Sequence, residues 1–204
     1  MGRPSTPLLT RDGILRAALD LVDEQGPDAL TTNRLAARLG VRGPSLYHHI
    51  ANRGEIIEGL RELIVAEMDA TAASLRPWTL ALDRWARSYR AAFAAHPRVI
   101  PLLVSTPVRA PAALAHYASA VTVLREADWP DHLVMPVIET VESFLLGSAL
   151  TLAAPNPPAA AEGLPPELAA ALAARTGDPS DTAFEMGLQA LIQGLEHHRR
   201  TLEE

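Results

Sequence analysis

Apolar side chains in this chain recur at intervals of three and four residues, and nowhere do they alternate singly with polar ones over the length of a strand. That pattern predicts an all-α fold, because a helix buries one stripe of a 3.6-residue repeat whereas a half-buried strand needs a repeat of two. The breakers agree, since 17 prolines and 12 glycines cut the 204 residues into segments of helical length. A hydrophobic share of 48% excludes disorder for most of the chain, and an aromatic share of only 4% means that the core is built from Ala, Leu, Val and Ile.

Residues 10–25 read as an amphipathic helix with Thr10 as its cap, stopped by Gly26-Pro27. A helix of about two turns follows from Thr31-Thr32 to Leu39, closed by Gly40, which tolerates a left-handed backbone. After Gly40-Val41-Arg42, Pro44 suits the first turn of a second short helix over residues 44–49. Asn52 and Glu55 have capping-box spacing. The apolar stripe of Ile56, Ile57, Leu60, Leu63, Ile64 and Met68 then predicts one long connecting helix to about Ser74.

Further helices are predicted over residues 78–95, ending at His96-Pro97, and over 100–105 and 111–127. Residues 131–152 are apolar on more than one face, so that helix must be covered on several sides. Residues 153–181 are rich in Pro and Ala and read as an excursion holding one brief helix over 166–175. In the last helix, 182–198, Gly187 and Gly194 each cost about 1 kcal/mol relative to Ala unless close helix–helix approach compensates.

The absence of cysteine excludes a disulfide scaffold, a cysteine-ligated zinc and a thiol nucleophile, and a cytoplasmic protein is expected. Residues 1–10 lack the apolar run of a signal peptide. The longest uncharged run, 143–161, is interrupted by Pro155, Pro157 and Pro158, so no membrane span is predicted. All 18 basic residues are arginine and the net charge is −6, yet residues 1–54 hold seven arginines against five acids. The cationic start and the acidic remainder point to different jobs.

The stretch 31–53 has the dimensions of a helix-turn-helix, whose second helix enters the major groove of DNA. Leu35, Ala36, Leu39, Val41, Leu46 and Ile50 would pack the pair together. Thr32, Asn33, Arg34, Arg42, Ser45, Tyr47, His48 and Arg53 are left outside as donors and aromatics suited to phosphates and base edges.

No metal or cofactor is expected. His48 and His49 are adjacent and point to different sides of a helix, and His197-His198 sit beside Arg199-Arg200. Nor is an enzyme expected: Glu139, Glu142 and His96 are the acid–base candidates, and no nucleophile triad, phosphate loop or cofactor fingerprint accompanies them.

The run from Leu30 to Val41 (Leu-Thr-Thr-Asn-Arg-Leu-Ala-Ala-Arg-Leu-Gly-Val), then Pro44-Ser45-Leu46-Tyr47-His48-His49-Ile50 and Asn52-Arg53, resembles the DNA-binding domain of the TetR family of repressors. Trp78, His96, the Phe144-Leu145-Leu146-Gly147 stretch, Phe184-Glu185-Met186-Gly187-Leu188 and Ile192-Gln193-Gly194-Leu195-Glu196 extend the likeness over most of the chain. The resemblance implies a DNA-binding domain over 1–55 and a helical effector-binding and dimerisation domain over 56–204, with 56–74 as the connecting helix. It implies a transcriptional repressor that leaves a palindromic double-stranded operator when a small-molecule effector binds. Thr32, Asn33, Arg42, Ser45, Tyr47, His48 and Arg53 fall at or beside the family's DNA contacts, with Tyr47 and Arg53 expected on phosphates and Ser45 and His48 on bases.

A homodimer is expected through a four-helix bundle of residues 131–152 and 182–198. Candidate effector-pocket residues are Trp85, Tyr89, Phe93, Leu103, Tyr117, Met135, Glu139 and Ser143. The family's tetracycline-binding members hold a magnesium–drug complex through His, Thr and Glu positions. Here no histidine follows His96 within 98–106, and Asp69 and Ser143 stand near positions where those members use His, so a different and more apolar effector is expected. The alternative is a ligand-binding helical module without sequence-specific DNA binding. It is favoured by the acidic total and by Gly43, which stands where a family member can carry a base-reading side chain.

Overall fold

The computed structural model describes residues 9–153 and 164–202, and within them the secondary structure is helical throughout. The helices are α1 (Arg11–Gln25), α2 (Thr32–Leu39), α3 (Gly43–Leu46), α4 (Arg53–Val65), α5 (Trp78–Ala95), α6 (Ile100–Val104), α7 (Pro111–Glu126), α8 (Asp131–Ala153), α9 (Pro166–Ala173) and α10 (Pro179–Thr201). The expected excursion 153–181 lies partly outside the described residues, but its brief helix is α9.

The caps sit where the sequence places them. The Thr10 hydroxyl accepts from the Gly13 N–H at 3.1 Å, and Gly40 closes α2 with φ 67°. At α4 the Asn52 side chain accepts from the Glu55 N–H at 3.0 Å, and Glu55 reaches back one residue past the cap to accept from the Ala51 N–H at 2.7 Å.

Three expectations need correction. The connecting helix stops at Val65 instead of reaching Ser74, and the chain resumes as a 3-10 turn at Ala72–Ser74. Asp69 accepts from both the backbone N–H of Thr71 (2.9 Å) and its hydroxyl (2.6 Å), and this local closure competes with helical hydrogen bonding. Met68 is nevertheless buried, so the apolar stripe continues through non-helical backbone and hides the break from a periodicity argument. The second reading helix is one turn, Gly43–Leu46, followed by turns in place of helix to residue 49. The last helix starts earlier, at Pro179, because Asp178 caps it by accepting from the N–H groups of Ser180 (2.7 Å) and Asp181 (3.3 Å).

The chain divides into two compact units, one of residues 1–67 and 96–117, the other of 68–95 and 118–204. In the first, α1 packs on α2 and α4 around Ile14, Leu21, Leu35, Leu60 and Ile64, all fully buried. Gly59 of α4 lies against Leu15 of α1, where an added Cβ would stand 2.6 Å from Leu15 Cδ1. Arg98 donates from Nη1 to the carbonyls of Asp23 (2.8 Å) and Glu24 (2.7 Å), satisfying the C-terminal turn of α1, and His96 Nδ1 lies 2.6 Å from Asp23 Oδ2.

Arg61, itself 7% exposed, joins α4 to the end of α6 and the segment that follows it. Its Nη2 donates to the Leu103 carbonyl at 2.9 Å and to the Thr106 carbonyl and hydroxyl, both at 3.2 Å. Its Nε donates to Glu58 Oε1 at 3.1 Å, and Glu58 Oε2 accepts from the N–H groups of Arg109 and Ala110 at 2.6 Å each.

In the second unit α5 packs on α8, and α10 packs on both. Gly187 earns its place at the α8 contact, since a Cβ there would stand 2.6 Å from Phe144 Cε2; Gly194 meets nothing within 4 Å among the described residues. Residues 131–152 are long and apolar enough to cross a membrane by length and composition. In the fold, Val134, Val137, Ile138, Val141, Leu145 and Ala149 are core side chains.

Candidate nucleic-acid interface

The helix-turn-helix is assembled from the inside outward. Leu35, Ala36, Leu46 and Ile50 are buried and Leu39 and Val41 half-buried, so the six apolar positions form its packing face as expected. The turn is tied by the Val41 N–H donating to the Ala36 carbonyl at 3.0 Å, and the N–H of Ile50 returns to the Leu46 carbonyl at 3.0 Å.

With that face fixed, the polar side chains must point out. Asn33, Arg42, Tyr47, His48 and Arg53 are exposed, and Thr32 and Ser45 are half-buried. Tyr47 is 57% exposed, an uneconomical place for an aromatic ring unless a partner covers it. Its hydroxyl lies 3.3 Å from the Thr32 hydroxyl, which aligns the start of α2 with the end of α3. Arg53 Nε donates to the Leu30 carbonyl at 3.3 Å, orienting the side chain at the start of α4. The structure thus places six of the seven sequence candidates on the helix-turn-helix and the turns that follow it, and Arg53 at the start of α4.

The arginines of the first unit divide by use. Arg38 is committed to Glu24 through two bonds of 2.7 Å, Arg11 to Glu62 and Arg16 to Asp12. Arg34 and Arg42 have no carboxylate partner among the described residues and remain available to phosphates. Which arginines are committed depends on contacts far apart in sequence, 51 residues for Arg11 and Glu62, which no spacing rule reveals.

The effector candidates fall in both units. Trp85, Tyr89 and Phe93 form a ladder on α5, with ring centroids 5.1 Å and then 4.3 Å apart. Leu103 and half-buried Tyr117 belong to the first unit, where the Leu103 carbonyl serves Arg61. Met135, Glu139 and Ser143 stand on the exposed face of α8 instead of among buried side chains, and the Ser143 hydroxyl donates back to the Glu139 carbonyl at 2.8 Å. Residues with mixed faces on an apolar helix resist assignment from sequence, because both faces carry the same residue types. Also in the first unit, a cleft of about 540 Å³ runs along α4, lined by Asn52, Glu55, Glu58 and Glu62 on one side and Thr106, Pro107 and Arg109 on the other.

The chain resembles known proteins along nearly its whole length. A family model described as bacterial regulatory proteins, tetR family, matches residues 14–60, and one described as tetracyclin repressor-like, C-terminal domain, matches residues 74–199. The tetracycline repressor protein class A from transposon 1721 of Escherichia coli is 33% identical over 195 residues, 91% of this chain and 90% of that protein. The crystal structure of a possible TetR family transcriptional regulator from Streptomyces coelicolor A3(2) has a TM-score of 0.77 and 31% identity, over 92% of this chain and 98% of that one. ActR of Streptomyces coelicolor, in complex with actinorhodin, has a TM-score of 0.76 and 26% identity, over 93% and 96% of the two chains.

Proposed function

Because the chain belongs to the TetR family of bacterial regulatory proteins, we propose that it is a DNA-binding transcriptional repressor released from its operator by a small-molecule effector. The relatives that support this are repressors and not enzymes. The observation that carries the reading is the exposed polar face of α2 and α3, mounted on a buried apolar one. Residues 1–55 form the DNA-binding domain, and residues 56–204 bind the effector and dimerise.

The roles follow from chemistry. Arg42, Arg53 and Tyr47 hold phosphates and fix register, while Ser45, His48, Thr32 and Asn33 reach base edges. A two-fold dimer presents two such heads to successive major grooves, about 34–36 Å apart, and so reads a palindrome. The protein works where the chromosome is, in the cytoplasm.

The dimer forms through residues 131–152 and 182–198. Pro136, Ser143, Gly147 and Leu150 make an exposed stripe on α8, and Met186, Ala190 and Gly194 make one on α10. Met186 is 72% exposed, and among the described residues neither Gly147 nor Gly194 has a neighbour within 4 Å of its would-be Cβ, so both stripes leave room for a second copy. ActR solved in complex with actinorhodin, and a TetR of Acinetobacter baumannii solved in complex with minocycline, support a small-molecule effector for this chain as well. Effector binding favours a dimer whose heads are wrongly spaced, with α4 and its Arg61 clamp as the mechanical link.

Selection of random duplexes by the purified protein, followed by titration at several salt concentrations, tests the reading. A palindromic winner is expected, with log affinity falling linearly in log salt. Tyr47→Ala should weaken binding about tenfold, and Arg42→Ala should reduce the salt slope by about 1. No enrichment, with weak binding even at low salt, would leave a ligand-binding module that does not read DNA.

A further inference from the structure

The second unit buries a cation that its own fold uses only in part. Arg90 of α5 is 8% exposed, and its Nη1 donates to Asp181 of α10 at 2.7 Å. The guanidinium carbon lies 4.3 Å from the centre of the Phe184 ring, so one face of the group rests on an aromatic surface. Nε and Nη2 are both shut off from solvent and have no hydrogen-bond partner among the described residues. Buried donors are nearly always paired, and donors on a charged group most of all.

The two idle nitrogens are not a random pair. Nε–H and Nη2–H form one straight edge of the planar guanidinium, and their parallel N–H bonds match the two oxygens of a single carboxylate. One side is aromatic: Phe184, under the guanidinium, stacks on Phe144 at 5.8 Å. The neighbouring charges are accounted for, since Arg87, 5.9 Å from the same ring, is already held by Asp83 and Glu185. Asp181 and Glu185 have side chains 60% and 50% exposed, so water screens them. A phosphate dianion would need more donors than this one edge supplies.

We infer that the Nε–Nη2 edge of Arg90 anchors the carboxylate of an organic acid with an apolar body, which makes the effector of this regulator an acid. This rests on the effector-responsive reading above and adds the ligand's chemical class to it.

The test uses the full chain and three acids of increasing size, formate, benzoate and 2-naphthoate, each paired with its amide at matched ionic strength. Thermal shift and calorimetry should show at least one acid binding ten times or more tightly than its amide. Arg90→Met, which keeps the stem but no donor, should lose that acid's binding by roughly ten- to a hundredfold, and Arg90→Lys should restore only part of it. The inference is overturned if no acid is distinguished from its amide, or if Arg90→Met binds the acid as the parent does. Should that variant not fold, the arginine Nε–H spectrum of the parent protein decides: a resonance that moves with benzoate but not with benzamide is expected, and none moving overturns it. Operator affinity measured on the same samples separates the two readings. A chain that binds its operator and ignores every acid refutes only the anchor, whereas one that binds no operator refutes the proposed function.

Discussion

Arg61→Met tests the clamp between α4 and the segment after α6. Methionine keeps an unbranched stem in the buried slot but removes four hydrogen bonds: those to the Leu103 carbonyl, to the Thr106 carbonyl and hydroxyl, and to Glu58 Oε1. The last partner matters most, because Glu58 is only 17% exposed and would be left without its cation. Breaking one side of such a pair costs about 3–5 kcal/mol. Glu58 Oε2 still accepts from the N–H groups of Arg109 and Ala110, which places the cost at the low end, about 3 kcal/mol.

For a chain of this length that corresponds to a fall in melting temperature of about 6–12 °C. Calorimetry of the parent, Arg61→Met, Glu58→Gln and the double variant closes a cycle, and the two changes should be coupled by about 1–3 kcal/mol. A single variant melting within about 2 °C of the parent, or a double variant whose loss is the plain sum of the two, would refute the account of Arg61 as a buried, partner-dependent cation.

Gly59→Ala places a methyl group against Leu15; overpacking of about 1–3 kcal/mol outweighs a helix-propensity gain of about 1 kcal/mol, so chemical denaturation should show a net loss and not a gain. Hydrogen bonds from the Thr71 hydroxyl, from Arg84 and from the Thr71 N–H hold the Asp69 carboxyl at about 2, below its ordinary 3.8. Its stabilising effect is therefore complete above the ordinary value and disappears as pH falls through about 2, and a carboxyl carbon titration by NMR that gives a midpoint near 4 would count against this. Met186→Glu introduces a charge at the proposed two-fold contact, and sedimentation should find monomers where the parent is dimeric; an intact dimer would move the interface elsewhere.

Local chemistry was legible without coordinates. Thr10, Gly40, Asn52 and Glu55 cap helices through neighbours within a few residues, so their roles follow from spacing alone. The helix-turn-helix was legible for the same reason, since one apolar face of short period fixes which side chains point outward. Local competition was harder to see: the break after Val65 leaves no mark in the apolar stripe, because Met68 is buried with or without a helix around it.

What only tertiary structure decided is which charges are committed. Arg38 and Arg42 are the same residue type on the same motif, yet Arg38 is held by Glu24 and Arg42 is held by no carboxylate among the described residues. Nothing in the helical pattern marks Arg61 and Arg90 as buried, and both are. Helical periodicity records which face of a segment is apolar. It cannot record which distant acid, carbonyl or ring will meet a long side chain, because those partners are brought together by folding and not by spacing along the chain.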